Sequence, residues 1–435
     1  MKRIIIFFLI IFCASSCSAT ENVNLLPESG LTLEECLTIA LTNHPSLRKS
    51  KGAIRAAEAL LKQTKAVNRV KVNLSGRTTF AGDFQYWDSR YHSGNLSLNA
   101  TKILYDTGVN RLNLEIQNEA VKYALESERQ TGITVAAAAK RAYYDLVLKI
   151  LNLDIEHEKV ANLEEHLKTA RGFYEVGNSS LIDVTKAESD LASARVALLR
   201  AKNEISLSQE SLKVAMGVSD YDIVNIALST ELLLPDSAGE IDELLQLAMS
   251  DRSDYRQLLH IRKQHELGLK VAARNNSPTI TGSMGSDLTK HEGTPATRDY
   301  SVGVTVNVPV VDGGETEARI ESAKAQLDQD DANMESLRQT MTRDVRSAAL
   351  SLTNALDRVK SSEVNVRYSE DNLKLAQGRY EVGVGNMLEV SDAVSSLASS
   401  RYSLYQALYD AQVARTNLDE ALGHLPPEIS LERSM

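Results

Sequence analysis

The hexapeptide Gly172-Phe173-Tyr174-Glu175-Val176-Gly177 returns as Gly378-Arg379-Tyr380-Glu381-Val382-Gly383, an offset of 206 positions (172 to 378). The surrounding chain returns in the same register. Asp106-Thr107-Gly108 pairs with Asp312-Gly313-Gly314, Met216-Gly217 with Leu422-Gly423, and Leu181-Ile182-Asp183-Val184 with Met387-Leu388-Glu389-Val390. Ala187, Leu191 and Arg195 likewise match Ala393, Leu397 and Arg401. One unit is written twice, with a period far beyond the roughly 20–50 residues of a solenoid repeat.

The eight prolines stand at 27, 45, 235, 278, 295, 309, 426 and 427. Between Asn110 and Gly217, and between Asp312 and Leu425, no proline and little glycine forces a helix to stop. Each half therefore reads as a long helix, 109–176 or 314–382, turning at the hexapeptide into a return helix, 180–217 or 386–423. At about 1.5 Å per residue the long members reach on the order of 100 Å. Helices of that length must pack side by side as a coiled coil or tube.

Before each long helix the hydrophobic period changes to two. Val70-Lys71-Val72-Asn73-Leu74-Ser75, Leu96-Ser97-Leu98-Asn99-Ala100 and Val302-Gly303-Val304-Thr305-Val306-Asn307-Val308 alternate apolar and polar residues, as half-buried strands do. Expected strands lie at about 70–80, 94–104, 277–286 and 299–311. The intervening polar stretches, Ala81–Ser93 and Ser286–Asp299, read as loops. The first holds Phe84, Tyr86, Trp87 and Tyr91, aromatics suited to a lipid–water boundary. Each strand pair follows two helices, the first pair broken at Asn43-His44-Pro45 with Ser46 as the expected cap, the second at Asp251-Arg252-Ser253-Asp254. Residues 20–217 and 241–423 are the two repeats, 218–240 a linker and 424–435 a tail.

Lys2-Arg3, an apolar run from Ile4 to Phe12 and small residues to Ala19 have the order of a secretory signal over 1–19. Cys17 follows Ala14-Ser15-Ser16, a lipobox-like setting for lipidation that would cleave before the cysteine. Ordinary cleavage after Ala19 is the alternative. Cysteines at 13, 17 and 36 supply no disulfide framework. A net charge of −10 argues against nucleic acid as a partner. After the signal no run approaches the roughly 20 apolar residues of a spanning helix, so any membrane crossing must use strands. The histidines, at 44, 92, 157, 166, 260, 265, 291 and 424, form no metal-ligand spacing, and His157 and His166 read as surface residues. No phosphate loop, nucleophile elbow or paired-acid motif marks an enzyme; no cofactor, metal or catalytic residue is expected.

Four strands cannot close a barrel, and an open edge is intolerable in lipid. Three chains would supply twelve strands, enough for a water-filled lumen, and a hollow cylinder of helices.

The duplicated strand–strand–long-helix plan, the Asn43-His44-Pro45-Ser46-Leu47 opening, and two copies of Tyr-Glu-Val-Gly each followed six positions later by an acidic residue resemble the TolC family of outer-membrane efflux proteins. The resemblance covers almost the whole mature chain. It implies a mainly α homotrimer with a small β part: duplicated helical hairpins in a periplasmic α-barrel, and four strands per chain in a 12-stranded outer-membrane β-barrel. It implies a passive exit duct for small toxic compounds, joined by a periplasmic adaptor to an inner-membrane pump. A type I protein secretion duct and a periplasmic coiled-coil scaffold or adhesin are the alternatives. Tyr174, Val176, Gly177, Tyr380, Val382 and Gly383 fall at the implied adaptor-docking tip. Glu389 and Asp392 fall at the family's acidic constriction, with Asp183 near Tyr380. Lys186 stands at the repeat position of Asp392. Threefold symmetry would make the two acids cation-favouring carboxylate rings able to bind divalent ions. Gly385 stands where a bracing arginine can sit.

Overall fold

The computed structural model describes residues 31–81, 91–177, 180–218 and 232–424. The export segment, Cys17, the aromatics at 84–87 and most of the 218–240 linker lie outside them. The elements are α1 Leu33–Asn43, α2 Pro45–Val67, β1 Lys71–Ala81, β2 Tyr91–Tyr105, α3 Val109–Glu175, α4 Leu181–Met216, α5 Ile241–Asp251, α6 Ser253–Ala272, β3 Thr279–His291, β4 Thr297–Asn307, α7 Glu315–Glu381 and α8 Met387–Leu422.

The duplication is kept to the residue. α3 and α7 are each 67 residues long, and α4 and α8 each 36. Their boundaries recur at one offset: 109 and 315, 175 and 381, 181 and 387, 216 and 422 all differ by 206. The start signal is the same in both halves. Asp106 accepts from the backbone N–H of Gly108 (3.1 Å) and Asn110 (2.7 Å), and Asp312 from Gly314 (3.1 Å) and Thr316 (2.9 Å). Each carboxylate thus satisfies donors that the first helical turn leaves without partners. The Thr316 side chain and backbone, then Asn276 and Gly314, hold the Asp312 carboxyl well below its ordinary value.

At the other end each return helix stops on a left-handed glycine pressed against the helix break of its own half. A Cβ on Gly217 (φ 71°) would lie 2.6 Å from the His44 Cα, and one on Gly423 (φ 75°) 2.8 Å from the Arg252 Cα. At the first break the cap differs from expectation. His44 caps α2, its Nδ1 accepting from the Ser46 N–H at 3.2 Å, because Pro45 occupies the first helical position and moves the cap back to its neighbour.

Two core clusters follow the repeat. Cys36, Leu37 and Ala40 of α1 pack with Ala139 and Leu146 of α3 and Leu212 of α4. Ala248 of α5 packs with Val345 and Leu352 of α7 and Leu418 of α8. Burial, then the neighbouring Glu35, pushes the Cys36 thiol up to about 12, leaving it an unreactive apolar group.

The strands form one antiparallel meander in the order β1-β2-β3-β4, so the repeats meet at β2 and β3, and β1 and β4 are open edges. The register places Val72, Leu74, Leu96, Leu98, Met284 and Val302 on one face, with Val304 and Val306 continuing it along β4. The opposite face carries Asn73, Ser75, Asn95, Ser97, Asp287 and Asp299. The strands reach further than expected into the polar stretches: β3 runs to His291 and β4 begins at Thr297. Serine, threonine and aspartate on a wetted strand face look like loop in sequence. β4 also ends early, at Asn307, since Pro309 has no N–H for the ladder.

α3 packs against α1, α2, α4, α6 and α8, whereas α7 packs against α5, α6 and α8. The helices thus lie in two rows of four, α2-α3-α6-α7 nearer the sheet and α4-α3-α8-α7 toward the hexapeptides. No helix among the described residues is long and apolar enough to cross a membrane.

Candidate functional site

The two hexapeptides lie at the end of the hairpins remote from the sheet. Gly177 (φ 77°) and Gly383 (φ 75°) turn the chain in the left-handed region, with open space around each, and their N–H groups donate to the carbonyls of Tyr174 and Tyr380 at 3.0 Å. Both turns are glycine stops of the kind that ends helices.

The return helices begin differently. The Asp183 carboxylate reaches back to the Ser180 N–H (3.1 Å) and hydroxyl (2.9 Å). In α8 the roles shift: the Asn386 side chain accepts from the Glu389 N–H at 2.9 Å, which leaves the Glu389 carboxylate free to meet Arg379 Nε at 3.4 Å. The Gly385 N–H donates to the Arg379 carbonyl at 2.8 Å, and a Cβ there would lie 3.1 Å from Arg379 and Tyr380 atoms. A side chain at 385 would be tight against the turn, and the guanidinium at Glu389 comes from Arg379. That pairing is invisible to a search for a brace at 385 alone.

Tyr380 wedges between the hairpins. It packs on the clusters of Ala170, Val184, Ala187 and Met387 and of Leu373 and Val390. Its ring meets Phe173 edge-on, centroids 5.5 Å apart at 62°, a geometry aromatic pairs favour. Burial, then the charge of Asp183, pushes the phenol up. Tyr380 is half-buried, while Tyr174, Val176 and Val382 are exposed, as are Ile182, Val384 and Leu388. Of the two tip tyrosines only Tyr174 presents its ring outward.

Glu389 and Asp392 lie exposed on one face of α8. Asp190 ties the hairpins together, accepting from Ser391 Oγ at 2.8 Å and pairing with Lys186 at 2.7 Å. The Asp190 hydrogen bond and charge, aided by Asp392, push the Lys186 ammonium up. Of the acids on the return helices here, Asp190 is paired with Lys186 and Glu389 with Arg379. Sequence reasoning missed Phe173, Arg379 and Asp190, whose partners are hairpin neighbours with no local signature. His166, read as a surface residue, is buried, and desolvation pushes its imidazole down, favouring the neutral form. No group of three or more His, Cys, Asp or Glu converges among the described residues as a metal ion would need.

An open sheet with one apolar and one polar face, continued into paired helices of about 100 Å ending in a narrow acidic tip, defines a subunit of a channel-tunnel. The chain belongs to the outer membrane efflux protein family, whose model matches residues 36–218 and 244–424. It is 24% identical over 318 residues to the probable efflux pump outer membrane protein TtgC of Pseudomonas putida, covering 71% of this chain and 65% of that protein. It is 24% identical over 414 residues to the outer membrane efflux protein BepC of Brucella suis, covering 91% and 86%. The crystal structure of the outer membrane protein VceC of Vibrio cholerae superposes with a TM-score of 0.74 at 21% identity, covering 90% of this chain and 96% of that one.

Proposed function

We propose that this protein is the outer-membrane exit duct of a tripartite efflux system, a passive homotrimeric conduit for small toxic compounds. The observation that carries this reading is the pair of unsatisfied edges. The sheet leaves β1 and β4 open, and the lower helix row ends in exposed apolar stripes at heptad-like spacing: Val196, Leu199, Leu207 and Val214 on α4, Leu350, Val364, Tyr368 and Leu375 on α7. A neighbouring copy that lays α4 on α7 and β1 on β4 covers all of them with one operation. Three copies close a ring of twelve strands. A soluble scaffold would have no use for the apolar sheet face.

In this reading the duct has no chemistry of its own. A periplasmic adaptor docks on the exposed apolar tip formed by Tyr174, Val176, Val382 and the turns at Gly177 and Gly383, and links it to an inner-membrane transporter that supplies the energy. Glu389 and Asp392, with Asp183 and Tyr380 behind them, form the gate. In a trimer three copies of Glu389 and of Asp392 would bring six carboxylates together (three times two), a field that favours cations. Three relatives named as efflux proteins for toluene, antibiotics and cations support small toxic compounds as the cargo class. A relative named as a probable lipoprotein supports lipidation at Cys17.

The test is Leu199→Asp or Leu350→Asp with cross-linking in detergent. Each is expected to abolish the trimer and leave a folded, helical monomer, because a single charge is buried in the seam. Trimers that survive both substitutions would refute the α4–α7 seam.

A further inference from the structure

The apolar face of the sheet does not stay apolar to its end. From Ile280 to Leu288 the outward residues of β3 span about 27 Å along the strand, comparable before tilt to the apolar band of a membrane barrel. At the edge of that band and just past it, at the hairpin end remote from the long helices, the register turns basic on the same outward face. Arg298 stands opposite Leu288, Lys290 opposite Gly94, and His92 opposite Phe80. Lys290 is therefore the diagonal neighbour of both Arg298 and His92, within about 8 Å.

The ring of His92 lies on Phe80 with centroids 4.5 Å apart, and its Nε2 is 2.8 Å from Thr78 Oγ1. Among the described residues Arg298 hydrogen-bonds the Tyr300 hydroxyl, at 3.5 Å. Lys290 and Arg298 are exposed, and neither forms an ion pair with a described carboxylate. Glu292, at the same hairpin, has its carboxylate on the His92 N–H at 3.2 Å. Asp287 and Asp299 point to the opposite, polar face. Two cations with no ion-pair partner among the described residues, at the rim of an apolar band and above the aromatic ring of Tyr300, fit a ligand that is apolar below and multiply anionic above.

We infer that Lys290 and Arg298, with His92 beside them, form a binding site for the phosphate groups of a phosphorylated glycolipid in the outer leaflet, whose acyl chains lie on Leu288 and Tyr300. The inference rests on the reading of the sheet as part of an outer-membrane barrel with its hairpin end outward. The site fixes the height of the barrel: the guanidinium and ammonium groups sit at the phosphate plane, and the helical tube hangs from that anchor at a constant depth. Each subunit carries one copy, so a trimer carries three.

The experiment is lipid retention by the detergent-purified, full-length trimer, read by native mass spectrometry after incubation with diphosphoryl lipid A or with the same glycolipid stripped of its phosphates. The diphosphoryl form is expected to be retained in up to three copies. Lys290→Ala with Arg298→Ala weakens retention about thirtyfold, to the level of the stripped lipid, while Lys290→Arg with Arg298→Lys restores it. Equal retention of the two lipids, or an unchanged double variant, would overturn the site in favour of a nonspecific annulus. Displacement of the lipid by millimolar inorganic phosphate would overturn it in favour of a free-anion site. Conductance of the double variant in a planar bilayer separates this from the parent reading. A duct without the lipid site still conducts; a protein that is not a duct does not.

Discussion

The hairpins α3/α4 and α7/α8 have identical lengths and the same start and stop signals, yet they live in different surroundings. α3 has five helical neighbours and 17 buried residues; α7, at the edge of both rows, has three and 11. The difference teaches that duplication preserves what the backbone needs, an aspartate at the start and glycines at the turns. Position in the row decides which side chains become apolar. At the tip the divergence is sharpest: the acid of α4 is consumed in capping its own helix, while the acid of α8 is released by Asn386 to face Arg379. One unit thus ties its acid to its own cap, and the other leaves its acid beside Arg379.

The largest effect that would break this comparison is in the duplicated core. Leu146 and Leu352 are repeat counterparts and both are fully buried. Leu146→Ala and Leu352→Ala are each expected to destabilise by about 3 kcal/mol, read as equal falls in thermal midpoint by circular dichroism. A much smaller cost at Leu352 would mean that the edge hairpin is loosely packed. The glycines sharpen the contrast between the two ends of the hairpins. Gly217→Ala and Gly423→Ala, which combine a left-handed backbone with a backbone clash, are expected to cost roughly 3 kcal/mol. The same change at Gly177 or Gly383, where the space is open, should cost about 1–2 kcal/mol. Equal melting shifts at all four would contradict the tight packing of the return-helix ends on the helix breaks.

The smallest effect concerns pH. The folded Asp312 carboxyl is held below its ordinary value of 3.8, so the stability it supplies is fully present above 3.8 and is lost as pH falls through the depressed value. Asp312→Asn keeps the shape of the cap and removes the charge. The gap in melting temperature between wild type and variant should be flat above pH 3.8 and close below it. A gap that widens on acidification would reverse the sign of the coupling.

Most of the architecture was legible because it rests on local signals that occur twice. The long helices were bounded within one residue by Asp106, Gly177, Gly217 and their counterparts, and the strands were visible from their period of two. The strand ends were not, since a wetted barrel face is built from the same serines, threonines and aspartates as a loop. His44 was missed as a cap because its role comes from the proline after it. At the tip, the turn glycines could be read from the repeated hexapeptide, whereas a role for Glu389 and Asp392 came only from the family resemblance. The Phe173–Tyr380 contact could not be read, since it joins residues 207 apart (380 less 173) through the packing of two hairpins. Nor could the Arg379–Glu389 pair, which depends on how Gly385 folds the turn.

The most direct test of the central claim is single-channel conductance of the detergent-extracted trimer in a planar bilayer, with selectivity measured under opposed salt gradients. Cation-selective openings are expected, with the preference and any divalent-ion block weakened together in Glu389→Ala/Asp392→Ala. A monomer that stays soluble without detergent and opens no channel would contradict the duct. Channels whose selectivity is unchanged in the double variant would remove the acidic tip from the gate.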